Sequence, residues 1–566
     1  MNELYRNKTL NWTLLIAFAV ALLYVLGART LVPPDEGRYA EMAREMFASG
    51  DWITTRLNGI KYFEKPPLQT WMNALTFTLF GVGEWQARLW TGLCGLLGVL
   101  LTGLAGRRVF GARIGFYGAL VLGSSIYWIA CSQVNSLDMS LSAMMTLALC
   151  ALLIAQRDGA APAERRNWML ACWAGMALAV LAKGLIGVVL PGAVLVLYTL
   201  LSRDWAIWKR LHLGKGLLLF FLVAAPWFVL VGLRNPEQPH FFFIHEHFDR
   251  FLRKEHHREA SWWIFFALLA VGSVPWAGVL LQGLLLGARR DALACERESQ
   301  ATAGAQRFRP RLMLLVWVVF ILLFFTKSNS KLPGYIVPVF PAVALLIALY
   351  LDAGTRRSRM LTAGLTSLLG AGLLALVPFM ERLAKKPGED VVYAAYQPWV
   401  LAAGLVLLVG GALALLTARQ MRRDLTVLVL AIAGFAGAQL LLVGFEPVAQ
   451  VRAGSALLPA LEAAGAADPK IPLYSVGIYE QSLTFYLGRT VTLVDYRDEF
   501  AFGLEQQPAL WVPTIPAFTA RWRRDAAAGV RNLAITRPEI VEELRRQGVP
   551  LRVVAGDARR VAIANF

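Results

Sequence analysis

A polytopic α-helical membrane protein with a small C-terminal α/β domain is the fold class this sequence predicts, and three observations predict it. Of the 566 residues 57% are hydrophobic and only 17% charged, against about 25% charged in soluble globular chains, and the mean hydropathy is +0.52. Apolar runs long enough to cross roughly 30 Å of hydrocarbon, about 17 to 25 residues each, recur up to Phe445. Beyond Phe445 the pattern changes to short strand-like runs alternating with helical stretches.

The first apolar run, 10–28, follows Arg6 and Lys8 but lacks a small-residue cleavage site, so it is expected to be an uncleaved first helix. The runs 85–106, 113–131 and 138–156 follow. Run 167–201 is too long for one crossing, because about 35 residues at 1.5 Å each reach roughly 50 Å. It must turn, and Lys183-Gly184 is the place. After it come 213–233, 262–287, 310–326, 334–351, 358–379, 398–417 and 425–444, which makes about thirteen spans.

The formal charge of +18 raises the question of what the basic residues are for. They fall on alternate connections, among them Arg107 and Arg108, Arg165 and Arg166, Lys209 and Arg210, Arg356 and Arg357, and Arg422 and Arg423. That is the distribution that holds one face of a membrane protein inside the cell. Dispersed over short loops without a binding motif, they give no support to a nucleic-acid partner. The opposite connections carry mixed charge and face outward: 29–84, the turn before Asp138, the turn at Lys183, 234–261, and Lys327 to Tyr335. An odd number of spans leaves the C-terminus on that outer face too. Five cysteines, mostly within apolar runs, suggest no disulfide framework.

Loop 29–84 holds the densest chemistry. In residues 33–53, PPDEGRYAEMAREMFASGDWI, the apolar positions Tyr39, Met42, Ala43, Met46 and Phe47 share one helical face, so an amphipathic interfacial helix is expected. Asp35 and Glu36 open it, where a carboxylate can simply cap the helix or can serve a site. Residues 61–71, KYFEKPPLQTW, add Tyr62, Glu64 and Lys65 beside two prolines. Asp138, at the start of another span, admits the same two readings. Lys183 is either an ammonium snorkelling to the interface or one that points into a cavity and meets an anion.

Loop 234–261 concentrates five of the six histidines and is expected to contain a second interfacial helix. His245 and Asp249 lie four apart, a spacing that can place two ligands on one metal, with Glu64 a third; solvated surface histidines are the plainer alternative. Arg250, with Lys327, Lys331 and Tyr335, adds groups suited to a phosphate. In the tail, strands are expected at 471–478, 490–495, 509–514 and 551–554 and a helix at 538–546, with no motif that carries chemistry. The chain thus divides into a membrane domain, 1–445, and a soluble domain, 446–566.

Taken in order, PPDEGRYAEMAREMFASGDWI, KYFEKPPLQTW, Asp138 at a helix start, Lys183-Gly184, His245 to Arg250, and Lys331-Leu332-Pro333-Gly334-Tyr335 resemble the bacterial aminoarabinose transferases. These belong with the polyprenyl-phosphate-dependent GT-C glycosyltransferases related to protein O-mannosyltransferases. The resemblance covers about 10–445 and fades in the C-terminal domain. It implies a multi-pass inner-membrane enzyme, acting as a monomer among membrane lipids, with its site and C-terminus in the periplasm. Its donor would be 4-amino-4-deoxy-L-arabinose on undecaprenyl phosphate and its acceptor a phosphate of lipid A. Asp35, Asp138 and Glu64 would be the catalytic carboxylates. Lys65, Arg38, Lys183, Arg250, Tyr62, Tyr335 and Lys331 would bind the donor phosphate. No cofactor is required, though Glu64 and His245 could hold a divalent metal such as zinc. The alternatives are transfer to a Ser or Thr hydroxyl of a protein and, in a different class, a secondary transporter, which would show broken helices with ionisable residues at the membrane midplane.

Overall fold

Every run expected to span the membrane is a helix or a bent pair of helices in the computed structural model, which describes residues 3–244, 260–289, 308–384 and 389–566. Among the described residues nine helices are long and apolar enough to cross, or eleven if each of two bent pairs counts as one span. The run 167–201 is two helices, Pro162–Lys183 and Ile186–Ser202, parted at Gly184, whose φ of +84 is open to a residue without a Cβ.

The two bent pairs were expected to be single spans. Ala112–Ser124 and Ile126–Ser132 meet at 65°, and Ile264–Gly272 and Ala277–Ala288 at 111°. Sequence chemistry accounts for both breaks. Ser124 and Ser125 turn their hydroxyls back onto the Leu120 and Val121 carbonyls, which competes with the helix ladder, and Pro275 has no N–H with which to continue one. The freed groups then find each other: the Ile126 N–H donates to the Val274 carbonyl at 3.1 Å, and the Trp276 indole to the Ser124 hydroxyl at 2.9 Å.

Packing divides the chain into two units, Met1–Leu26 with Trp90–Met380 and Gln397–Gly444, and Gly27–Leu89 with Glu381–Tyr396 and Phe445–Phe566. This division and the compositional one share a boundary near 445 and differ over the first outer loop. The second unit takes that loop because the apolar face of the helix Asp35–Ser49 is covered by protein. Ala40, Ala43 and Met46 form one cluster with Ala74 and Phe77 of the helix Leu68–Phe80 and with Phe485 of the helix Gln481–Leu487.

In the same unit, strands β1 (Arg56–Leu57) and β2 (Ile60–Lys61) make a hairpin. Its turn, Asn58-Gly59, has φ of 55° and 73°, the left-handed pair that an Asn-Gly hairpin turn adopts. The C-terminal sheet has six strands: β3 (Leu473–Val476), β4 (Thr492–Val494), β5 (Trp511–Val512), β6 (Leu533–Thr536), β7 (Arg552–Gly556) and β8 (Val561–Ala564), in the order β5-β4-β3-β6-β8-β7. The first four in that order are parallel, and β8 and β7 close the edge antiparallel. Strands β6 and β8 were not expected, and β6 pairs along the full length of β3. All four of its residues are buried, so it lacks the alternation by which a half-exposed strand announces itself.

Candidate active site

In the second unit the site is built on the start of the helix Asp35–Ser49. The position before its first residue is Pro34, which offers no capping side chain. Glu36 reaches back to the chain that leads in, its Oε2 accepting from the Val32 N–H at 2.9 Å. The other demand on Glu36 is Arg88, which donates to both carboxylate oxygens at 2.6 and 2.9 Å in a fully buried bidentate pair. Asp35 is left half exposed and, among the described residues, its carboxylate meets the guanidinium of Arg38 alone, at 3.4 Å. Of the two readings for Asp35, capping is therefore the one the geometry does not use.

Arg38 lies one turn along and forms an ion pair with Glu499, whose Oε1 also accepts from the Gln481 amide at 2.9 Å. Burial pushes the Glu499 carboxyl up, against the pull of Arg38. The hydroxyl of Tyr62 is buried and has no hydrogen-bond partner among the described residues. Its surroundings, burial first and the charge of Glu64 second, hold it well above the usual phenol range. Lys65 follows in the same loop and donates to the Glu64 carbonyl at 2.9 Å, its ammonium 3.9 Å from the Glu64 carboxylate. Asp35, Arg38, Tyr62, Glu64 and Lys65 thus belong to one packed unit, as the sequence suggested.

The sequence did not point to Glu499 or Gln481. One signal was present: Asp495-Tyr496-Arg497-Asp498-Glu499 is a charged cluster just past the carboxyl end of β4, and the carboxyl ends of parallel strands are where α/β sheets place their ligands.

A second charged group lies within the first unit. Asp138 is the second residue of the helix Leu137–Gln156 and Lys183 the last of Pro162–Lys183, and the two form an ion pair. The Lys183 ammonium also sits 4.9 Å from the centre of the Tyr335 ring, within cation–π range. Beside them Gly334 presses on Asp138 so closely that any Cβ there would overlap the carboxylate. Snorkelling alone does not describe Lys183, because it has a fixed anionic partner. Lys331 is turned elsewhere and donates to the Ser328 carbonyl at 2.9 Å. His245, Asp249 and Arg250 lie outside the described residues.

Behind the Asp35 face, the same helix carries a buried acidic pair. Glu41 receives both Arg44 donors at 2.7 Å, and Glu45 accepts from the Gly59 N–H at 2.8 Å in the hairpin turn. Burial and the neighbouring charge of Glu41 push the Glu45 carboxyl up from 4.5 to about 8. Between those values the folded protein holds a proton that the unfolded chain releases. Stability should therefore fall as pH rises through that window, at no more than about 1.4 kcal/mol per pH unit. Glu45→Gln keeps an acceptor for Gly59 and cannot ionise. Its melting temperature is expected to match the wild type near pH 5 and to exceed it at pH 8.5; parallel curves would return Glu45 to an ordinary carboxylate.

Comparison with known proteins gives the family. A family model described as the aminoarabinose transferase C-terminal domain matches residues 459–565, and one described as dolichyl-phosphate-mannose-protein mannosyltransferase matches residues 64–230. The undecaprenyl phosphate-α-4-amino-4-deoxy-L-arabinose arabinosyl transferase of Aeromonas salmonicida is 31% identical over 415 residues, 72% of each chain. That of Pseudomonas aeruginosa PAO1 is 33% identical over 419 residues, 73% of this chain and 71% of its own. The chain belongs to the aminoarabinose transferase family. It is a glycosyltransferase of the lipid-linked-sugar type and a multi-pass membrane protein. The crystal structure of ArnT from Cupriavidus metallidurans bound to undecaprenyl phosphate superposes with a TM-score of 0.89 at 40% identity over 98% of both chains. The family match over 459–565 corrects the expectation that the resemblance fades in the C-terminal domain. It reaches through the sheet that supplies Glu499.

Proposed function

We propose that this aminoarabinose transferase moves 4-amino-4-deoxy-L-arabinose from undecaprenyl phosphate to a phosphate of lipid A, as a monomer, at the periplasmic face of the inner membrane. The observation that carries the reading is the 40% identity over 98% of the chain to an ArnT that holds undecaprenyl phosphate. The alternate basic connections support the orientation.

The chemistry is displacement at the anomeric carbon. The bond from that carbon to the donor phosphate breaks, its electron pair leaves on undecaprenyl phosphate, and an oxygen of the acceptor phosphate forms the new bond through a transition state of oxocarbenium character. Lys65 and Arg38 are the cations proposed to stabilise negative charge as it gathers on the leaving phosphate. Lys183, Arg250, Lys331, Tyr62 and Tyr335 keep the phosphate-binding roles that the family resemblance implies. An ionised acceptor phosphate needs no base, so Asp35, Asp138 and Glu64 act through charge, orienting the acceptor or pairing with the sugar ammonium. No step is routed through a metal. His245, proposed with Glu64 for an ion such as zinc, lies outside the described residues, and among the described residues no three His, Cys, Asp or Glu side chains come together as ligands.

A second reading, transfer to a protein hydroxyl, draws on the mannosyltransferase match over 64–230. The transporter reading does not: two spans are broken as it requires, but Ser124, Ser125 and Trp276 line the breaks, and none of these is ionisable. Purified protein given undecaprenyl-phosphate aminoarabinose is expected to modify lipid A and refuse a Ser/Thr peptide. Cys at the exposed Ala48 should react with an impermeant thiol reagent in spheroplasts, and Cys at the exposed Ala112 should not. Transfer to the peptide alone, or the reverse labelling, would overturn the proposal.

A further inference from the structure

The backbone that leads into Asp35 has no secondary structure of its own, and side chains hold it. The Thr30 N–H and hydroxyl donate to the two oxygens of Glu446 at 2.6 and 2.7 Å. The Leu31 N–H donates to the Tyr486 hydroxyl at 2.8 Å, and the Leu31 carbonyl accepts from the Ser482 hydroxyl at 2.8 Å. Arg88 donates to the carbonyls of Arg29 and Thr30 at 2.5 and 3.0 Å. Leu31 is wholly buried. A buried strand of chain must pair its polar groups, and at Leu31 both partners come from one short helix of the C-terminal domain, Gln481–Leu487.

That helix also touches the catalytic one directly. Gly37, on the first turn after Asp35, packs on Ser482 so tightly that a Cβ would stand 2.6 Å from the Ser482 nitrogen. Two contacts, one before Asp35 through Tyr486 and Ser482 and one after it through Ser482, therefore refer its position to the same short helix. Among the described residues the Asp35 side chain, half exposed, has one long contact, to Arg38.

We propose that Ser482 and Tyr486 are positioning residues that set where the Asp35 carboxylate stands, so that the C-terminal domain is a working part of the transferase site. The inference rests on the function proposed above. It also gives the C-terminal domain a role its sequence does not announce.

The test uses full-length protein assayed with undecaprenyl-phosphate aminoarabinose and lipid A. Tyr486→Phe and Ser482→Ala each delete one hydroxyl, and the ring of Tyr486→Phe can still pack against Phe485. The double variant is expected to lose about 10- to 100-fold in kcat, the scale of a displacement of about an ångström, while the donor KM moves far less because Lys65 lies on a different stretch of the loop. Leu544→Ala, in the core of the same domain, is the stability control: it should lower the melting temperature and leave kcat per folded molecule unchanged. Should the double variant not fold, Tyr486→Phe alone is expected to show the same split of kcat from KM at about 5-fold. Wild-type kcat in these variants, or kcat and KM changing together in step with melting temperature, overturns the positioning role. Failure of the wild type itself to modify lipid A would instead sink the proposed function, so the two failures are distinguishable.

Discussion

Lys65→Ala should lower transfer by about two orders of magnitude, the usual result of removing one donor that stabilises charge in a transition state. The expectation comes from how the ammonium is held. It donates to the Glu64 carbonyl at 2.9 Å and stands 3.9 Å from the Glu64 carboxylate, so its own loop orients the charge. Pro66 and Pro67 follow it and restrict the backbone that carries it. The pair is partly buried and, at 3.9 Å, beyond hydrogen-bond reach, so its loss should move the melting temperature little. Lys65→Arg is expected to recover only part of the loss, because a planar fork cannot stand where a point charge did. A Lys65→Ala enzyme that keeps more than about half of wild-type activity would remove Lys65 from the site.

What the sequence allowed to be read follows from how local each signal is. Membrane spans are legible because one segment satisfies its own backbone and advertises its surroundings along its whole length; the turn at Lys183-Gly184 could be placed for the same reason. The bends at Ser125 and Pro275 were not, since each makes sense only beside the other: a Pro inside an apolar run is common, and what decides is the Val274 carbonyl waiting for the Ile126 N–H. Strand β6 was invisible because it is buried on both faces. Asn58-Gly59 is a strong hairpin signal, but the strands that flank it are two residues each and too short to show an alternating pattern.

The candidate site divides along the same line. Asp35, Arg38, Tyr62, Glu64 and Lys65 are within about thirty residues of one another, so their grouping could be seen without a fold. Glu499 and Ser482 reach the same helix from more than four hundred residues away, and nothing local marks them. Lys183 and Asp138 were found singly, but that they neutralise each other is a tertiary fact. It changes their chemistry: a paired ammonium binds a phosphate only by sharing it with, or exchanging it for, the carboxylate.

Asp35→Asn separates the readings most sharply. The change keeps the shape of the side chain and removes its charge. Because Glu36 makes the bond back to Val32 and Arg88 locks Glu36, the start of the helix does not depend on Asp35, and Arg38 keeps Glu499 when the 3.4 Å contact is lost. Folding and insertion should therefore be unchanged. Activity is expected to fall by about 10² or more, the range over which a positioned acid or base contributes. Near-normal activity in the variant would reduce Asp35 to a bystander. The pH dependence of the wild type then says how the charge acts. A carboxylate that must deprotonate a hydroxyl gives a rate that rises as that carboxylate ionises. An acceptor phosphate reports its own second ionisation, near pH 6 to 7. The proposed reaction predicts the second profile, with the residual Asp35→Asn activity rising over that same range, since the ionisation belongs to lipid A and not to the enzyme. A pH-dependent rise that is present in the wild type and vanishes in Asp35→Asn would instead make Asp35 a general base and move the acceptor from a phosphate to a hydroxyl.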